Sequence, residues 1–211
     1  MSLTEEILIL LPVLLVSISI HETMHALASF WLGDDLARRQ GRVSLNPLQH
    51  IDPMLTVALP LLTLITTGQL LAIAKPVQVD FSRLKYDEFG GAIVGIVGPL
   101  SNLVLALTVA GVFRILQPTA GSLAYNILAI AGLLNITLLV LNMIPWPPLD
   151  GSRVLYAFAP EPLQEIMRAI ERSGIVILII FLILFYGAAS NSLWRLITSL
   201  AVHLGLPVPV L

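Results

Sequence analysis

The chain has 211 residues, 57% of them hydrophobic and 11% charged, with a mean hydropathy of +0.93. Soluble domains carry about 25% charged residues, so this composition excludes a soluble protein and points to an integral membrane protein, read as one bundle over residues 1–211. A net charge of −2 speaks against a nucleic-acid partner, and the absence of cysteine excludes disulfides and thiolate metal sites.

Met1–Glu6 carries two acids and no base, the wrong start for a cleaved signal peptide, so the first apolar segment is expected to be retained. Four segments are long and apolar enough to span a hydrocarbon core of about 30 Å: Ile7–Leu32, Gly90–Phe113, Leu123–Ile144 and Gly174–Leu196. A fifth, Met54–Ala74, has the length, but Pro60 interrupts it and Thr66-Thr67-Gly68-Gln69 is polar and turn-like. Polar connections occupy Gly33–Pro53 and Lys75–Phe89. Pro145–Ser173 begins with a proline-rich stretch and continues as an amphipathic one, Pro162–Arg172. The apolar tail Thr198–Leu211 is expected to lie along the interface. The expected fold is therefore all-α, a polytopic helix bundle of about four spanning helices.

The positive-inside rule decides how Met54–Ala74 is placed. If it crossed, six basic residues would fall on one face and five on the other, which is no bias. If it dips in and returns, Arg38, Arg39, Arg42, Lys75, Arg83, Lys85, Arg153, Arg168 and Arg172 share one face and only Arg114 and Arg195 the other. A re-entrant or peripheral hairpin at 54–74 follows, with both termini extracytoplasmic.

His21-Glu22-Thr23-Met24-His25 lies inside the first span. His-Glu-x-x-His on a helix puts two imidazoles one turn apart on one face, where they can hold a zinc ion. Glu22 between them is placed to act as the base that activates water. Ionisable residues at membrane depth are costly, so their default reading is functional. His21 lies about 21 Å and His25 about 27 Å along the helix from Ile7. A catalytic zinc takes three protein ligands and keeps one position open. His50 is in a polar loop and His203 is in the tail on the opposite face, so a carboxylate is the expected third ligand. Asp150 is the candidate: in the re-entrant topology it emerges on the face nearest His25, and the prolines before it keep the backbone extended. The metal set is thus His21, His25 and Asp150, with one zinc per chain.

These motifs carry a family resemblance. His21-Glu22-x-x-His25 in the first span, with Asn142-x-x-Pro145-x-Pro147-x-Leu149-Asp150-Gly151, resembles the site-2 protease family of intramembrane zinc metalloproteases. Asn46–Pro53, Lys75–Val79 and Gly98-Pro99-Leu100-Ser101-Asn102 add to it. The likeness runs from Leu10 to Arg153 and is nearest to the small bacterial and archaeal members without PDZ or CBS domains. An additional proline before Leu149 is a minor departure, and none falls on the metal or base positions. The resemblance implies cleavage of a peptide bond in or near a transmembrane helix of another membrane protein, as in regulated intramembrane proteolysis. It implies a prokaryotic cell membrane, with the active site toward the cytoplasmic side. It further implies that Asn142 orients substrate or stabilises the developing oxyanion. Short β-strands within 40–80 would hold an extended peptide by strand addition. The expected partners are a transmembrane-helix substrate and the lipid bilayer, while oligomeric state stays open.

Plainer readings stand beside these. Asn142 and Asn102 could only bridge neighbouring helices, and Gly98-Pro99 could only kink one. His50 and Asp52 could only brace their loop. The competing functions are a divalent-metal transporter and a non-catalytic scaffold that binds membrane helices. Transport predicts polar groups spread along a path and pseudo-symmetric repeats; neither is apparent.

Overall fold

A computed structural model describes residues 2–51, 77–172 and 191–208. Helix α1 spans Leu3–Trp31 and is followed by a short turn of helix, α2, at Leu36–Arg39. After residue 77 come α3 (Asp87–Leu116), α4 (Leu123–Asn142), α5 (Gly151–Phe158) and α6 (Glu161–Arg172). The last described helix, α7, covers 191–203.

Three of these, α1, α3 and α4, are long and apolar enough to cross a membrane. They coincide with the first three expected spans to within a turn. The fourth expected span, Gly174–Leu196, falls mostly on residues outside the described ones, as does the hairpin expected at 54–74. No strand occurs among the described residues, and the part of 40–80 that remains untested is 52–76.

The helix ends follow from local chemistry. Ser2 caps α1 by accepting from the Glu5 backbone N–H at 3.3 Å, and Glu5 accepts the Ser2 N–H in return at 2.8 Å. Gly33, at φ +111°, ends it in a conformation that only glycine adopts without strain. Ser122 caps α4 through the Tyr125 N–H. Both faces of the three long helices are apolar, as expected of lipid-exposed spans.

Side-chain bonds fix how the spans run. On α1, Ser17, His21 and His25 meet Asn135, Asn102 and the Val94 carbonyl respectively, so α1 and α3 are antiparallel. Between α3 and α4, Asn102 meets Asn135, and Phe113 meets Tyr125 near the short connection, so these two are antiparallel as well. The end of α1, the start of α3 and the end of α4 therefore share one end of the bundle. The Lys85 N–H donates to the Leu32 carbonyl at 2.8 Å, which closes that end. The chain thus leaves α1 and enters α3 at the same level. Among the described basic residues, Arg114 and Arg195 alone belong to the other end.

At the far end, Ala106, Ala110, Ile136, Ile197, Ala201 and Leu206 form a buried core. Leu206 reaches Gly132, where any side chain would collide with it. Leu206, in the described part of the tail, is therefore packed into the bundle. Leu206 is an apolar residue opposite a glycine notch, and burial wins over interfacial exposure.

Candidate metal centre

His21 and His25 sit one turn apart on α1 and are buried, each 6% exposed. Their Nε2 atoms are 3.0 Å apart. Asp150, the residue before α5, brings its Oδ2 to 3.1 Å from His21 Nε2 and 3.3 Å from His25 Nε2. These three are the residues placed together by the sequence reading, and they form the group that can hold a metal ion among the described residues.

The other ring nitrogens reveal the protonation of this triangle. His25 Nδ1 lies 2.7 Å from the Val94 carbonyl oxygen, which can only accept, so Nδ1 carries the proton. His21 Nδ1 lies 2.6 Å from Asn102 Oδ1 and donates to it likewise. Each Nε2 is then the nitrogen free to bind a metal, and the two face each other and a carboxylate oxygen. Asp150 Oδ2 is buried, with those two nitrogens as its neighbours. A cation placed between the three atoms would be held by all of them. Tetrahedral zinc with bonds of about 2.0–2.1 Å separates its ligand atoms by about 3.3 Å, close to the observed edges of 3.0, 3.1 and 3.3 Å. The donor set fits zinc: two neutral imidazoles and one carboxylate, with no thiolate.

Glycines make the approach close enough. A Cβ at Gly98 on α3 would lie 2.8 Å from His21 Cε1 and 2.5 Å from His25 Cε1. A Cβ at Gly95 would lie 2.8 Å from the Asp150 carbonyl oxygen, and one at Gly151 2.7 Å from the Ile144 carbonyl oxygen. Gly98 is thus more than the site of a kink: it is the floor beneath the two imidazoles. The segment before Asp150 departs from expectation. Residues 143–150 are not extended but run through turns, with the Trp146 N–H on the Ile144 carbonyl and the Leu149 N–H on the Trp146 carbonyl, and α5 begins at Gly151.

Glu22 is 8% exposed, and its Oε2 accepts the Val77 backbone N–H at 3.2 Å. Residues 77–80 thereby lie against the motif. Asp34, fully buried, holds them there by accepting the Asp80 N–H at 2.8 Å and the Leu36 N–H at 2.9 Å. Thr23 donates toward the Ser19 and Ser44 carbonyls, and His50 Nε2 donates to Ser44 at 2.7 Å. His50 therefore braces its loop against α1, the plainer of its two readings; Asp52 lies outside the described residues. Asn142, the last residue of α4, donates through Nδ2 to the Leu138 carbonyl of its own helix at 3.0 Å. It is not brought into hydrogen-bond contact with the three converging residues.

Asn102 does bridge neighbouring helices, as its plainer reading has it, and one of its partners is His21 itself. A polar residue in an apolar span, one turn beyond Gly98, is the signal in the sequence, but its partner on α1 emerges only from the packing.

Residues 53–186 match the model of a family described as peptidase family M50. That stretch includes Asn102, Asn142 and Asp150 and begins after the two histidines. A Bacillus subtilis protein named "Putative zinc metalloprotease YwhC" is 32% identical over 196 residues, covering 88% of this chain and 84% of its own. Two proteins with the same description and the name Rip2 are similar. That of Mycolicibacterium smegmatis is 31% identical over 170 residues (80% of this chain, 64% of its own), and that of Mycobacterium tuberculosis H37Rv is 30% identical over 178 residues (84% and 66%). The chain thus spans just under two thirds of the length of the Rip2 proteins. No solved structure matches.

Proposed function

The chain belongs to peptidase family M50, a membrane zinc metalloprotease, and on that premise we propose that it cleaves a peptide bond in or near a transmembrane helix of another membrane protein. The observation that carries this reading is the triangle of His21, His25 and Asp150, built within the bundle from a spanning helix and the segment after another.

His21, His25 and Asp150 would hold the zinc, which when bound would act as a Lewis acid on the carbonyl and lower the pKa of water toward 7. Glu22, one residue from His21, takes up the proton that water releases and delivers it to the leaving amine. Its carboxylate is kept in place by the Val77 N–H. Asn142 orients the substrate or stabilises the developing charge on the scissile carbonyl; this needs its side chain to leave the Leu138 carbonyl, which is a rotamer change. The substrate helix must unwind locally, because a helical peptide bond is shielded by its own hydrogen bonds.

The active site faces the cytoplasm and the N-terminus lies outside, in line with the gathering of basic residues at the site end of the bundle. The chain acts as a single domain. The decisive experiment uses purified full-length protein in detergent with a transmembrane-helix reporter. Glu22→Gln should bind zinc and reporter but leave the reporter intact. Cleavage by that variant at a rate near that of the unmodified protein would overturn the mechanism, and a wild type that takes up no zinc would overturn the site.

A further inference from the structure

A chain of buried amides runs behind His21 and crosses the three spanning helices among the described residues. His21 Nδ1 on α1 meets Asn102 Oδ1 on α3 at 2.6 Å, and Asn102 Nδ2 meets Asn135 Oδ1 on α4 at 3.0 Å. Asn135 Nδ2 meets Ser17 Oγ on α1 at 3.0 Å and the Ala131 carbonyl at 2.9 Å. Asn102 is 0%, Asn135 2% and Ser17 3% exposed.

The polarity of this chain is determined at its far end. The Ala131 carbonyl can only accept, so Asn135 must present its NH2 there and its oxygen to Asn102. Asn102 must then offer its NH2 to Asn135 and its oxygen to His21. An oxygen in that position requires the proton on His21 Nδ1, which leaves Nε2, directed at Asp150 and His25, as the nitrogen available to a metal. Reversing any one amide would set two acceptors or two donors face to face in a dry interior, where each unpaired group is costly.

We propose that Asn102 and Asn135 are positioning residues for zinc. Asn102 holds His21 in the metal-binding tautomer, and Asn135 holds Asn102 the right way round. This rests on the zinc reading above, and it extends that reading to two residues outside the ligand set. Partners of this kind behind a ligating histidine typically change metal affinity by 10–100-fold.

The test measures zinc affinity of the purified full-length protein by competition with a chromogenic chelator. Leucine keeps the branched shape and heavy-atom count of asparagine and suits a spanning helix. Asn102→Leu should weaken zinc binding 10–100-fold, and Asn135→Leu should weaken it by about tenfold, by freeing the Asn102 amide to turn. Asn102→Asp presents an acceptor whichever way it turns, so it needs no orienting partner. Adding Asn135→Leu to Asn102→Asp should therefore change zinc affinity by less than about twofold, since the remaining acceptor still meets His21. Equal losses from Asn135→Leu in both backgrounds would mark it as a packing residue and overturn the proposal. So would wild-type affinity in Asn102→Leu. Should Asn102→Leu fail to accumulate, the comparison of the two Asn135→Leu backgrounds decides alone. A wild type without zinc would instead overturn the metal site itself, so the two failures are distinguishable.

Discussion

The Val77 backbone N–H donates to Glu22 Oε2 at 3.2 Å, so the carboxylate proposed as the base is held by a residue 55 positions away in the chain. A glutamine at position 22 still offers an oxygen to that N–H, so Glu22→Gln should preserve the fold and the zinc content. It removes the proton acceptor, and general-base loss slows hydrolysis by about 10²–10⁴-fold. Zinc per chain and reporter cleavage, measured on the same preparation, check both halves.

Asp34 governs the same contact from a distance. It is fully buried and accepts the N–H groups of Leu36 and Asp80. Asp34→Ala leaves both donors without a partner, at a cost of about 1–3 kcal/mol each. Residues 77–80 should then loosen from the motif. Thermal stability should fall and cleavage should decline with zinc still bound; unchanged stability would show that water replaces the lost carboxylate.

Gly98→Ala should remove the metal site by shape alone. The added methyl would lie 2.5 Å from His25 Cε1 and 2.8 Å from His21 Cε1, nearer than carbon atoms tolerate. Overpacking of this kind costs about 1–3 kcal/mol, and here the imidazoles are the groups displaced. Gly111→Ala on the same helix is the control, because its added methyl meets nothing within 4 Å. Zinc content should collapse in the first variant and be unaffected in the second. Equal zinc content in both would refute the role of Gly98.

Much of this was legible beforehand because lipid leaves little choice. A spanning helix must be a long apolar run, and α1, α3 and α4 appear as such. Ionisable residues at that depth stand out, which is why His21, Glu22 and His25 were legible. Asp150 was reachable because charge bias and helix count both placed its loop on the histidine side. What failed to show has a common cause: it depends on which helix faces which. The bond between Asn102 and His21, the glycine floor at position 98 and the seating of Leu206 against Gly132 are all pair relations between helices. An apolar span has no amphipathic stripe to reveal its inward face, so these relations appear only once the spans are packed.

Orientation in the membrane yields a prediction that cysteine chemistry can check directly, since the chain contains no cysteine. Lys85 lies at the site end beside Leu32, and Thr119 lies in the connection between α3 and α4 at the other end. In intact cells, Thr119→Cys should react with a membrane-impermeant maleimide and Lys85→Cys should not until the membrane is opened. The reverse pattern would place the active site on the outer side and reverse the charge-based orientation.

Asp150→Asn separates a ligand's role from a packing role. Asp150 Oδ2 is buried, 3.1 and 3.3 Å from the two imidazole Nε2 atoms. Asparagine keeps the shape of the side chain and loses the charge that binds a cation. In zinc the wild type should melt well above the variant: a ligand at a thousandfold excess over its Kd stabilises by about 4 kcal/mol, and the variant, with one ligand lost, gains far less. In chelator that gap should shrink. Melting temperatures of both proteins, each with chelator and with zinc, test the difference. If the gap between the two proteins were the same in both conditions, Asp150 would be contributing to the fold in its own right and not as a metal ligand.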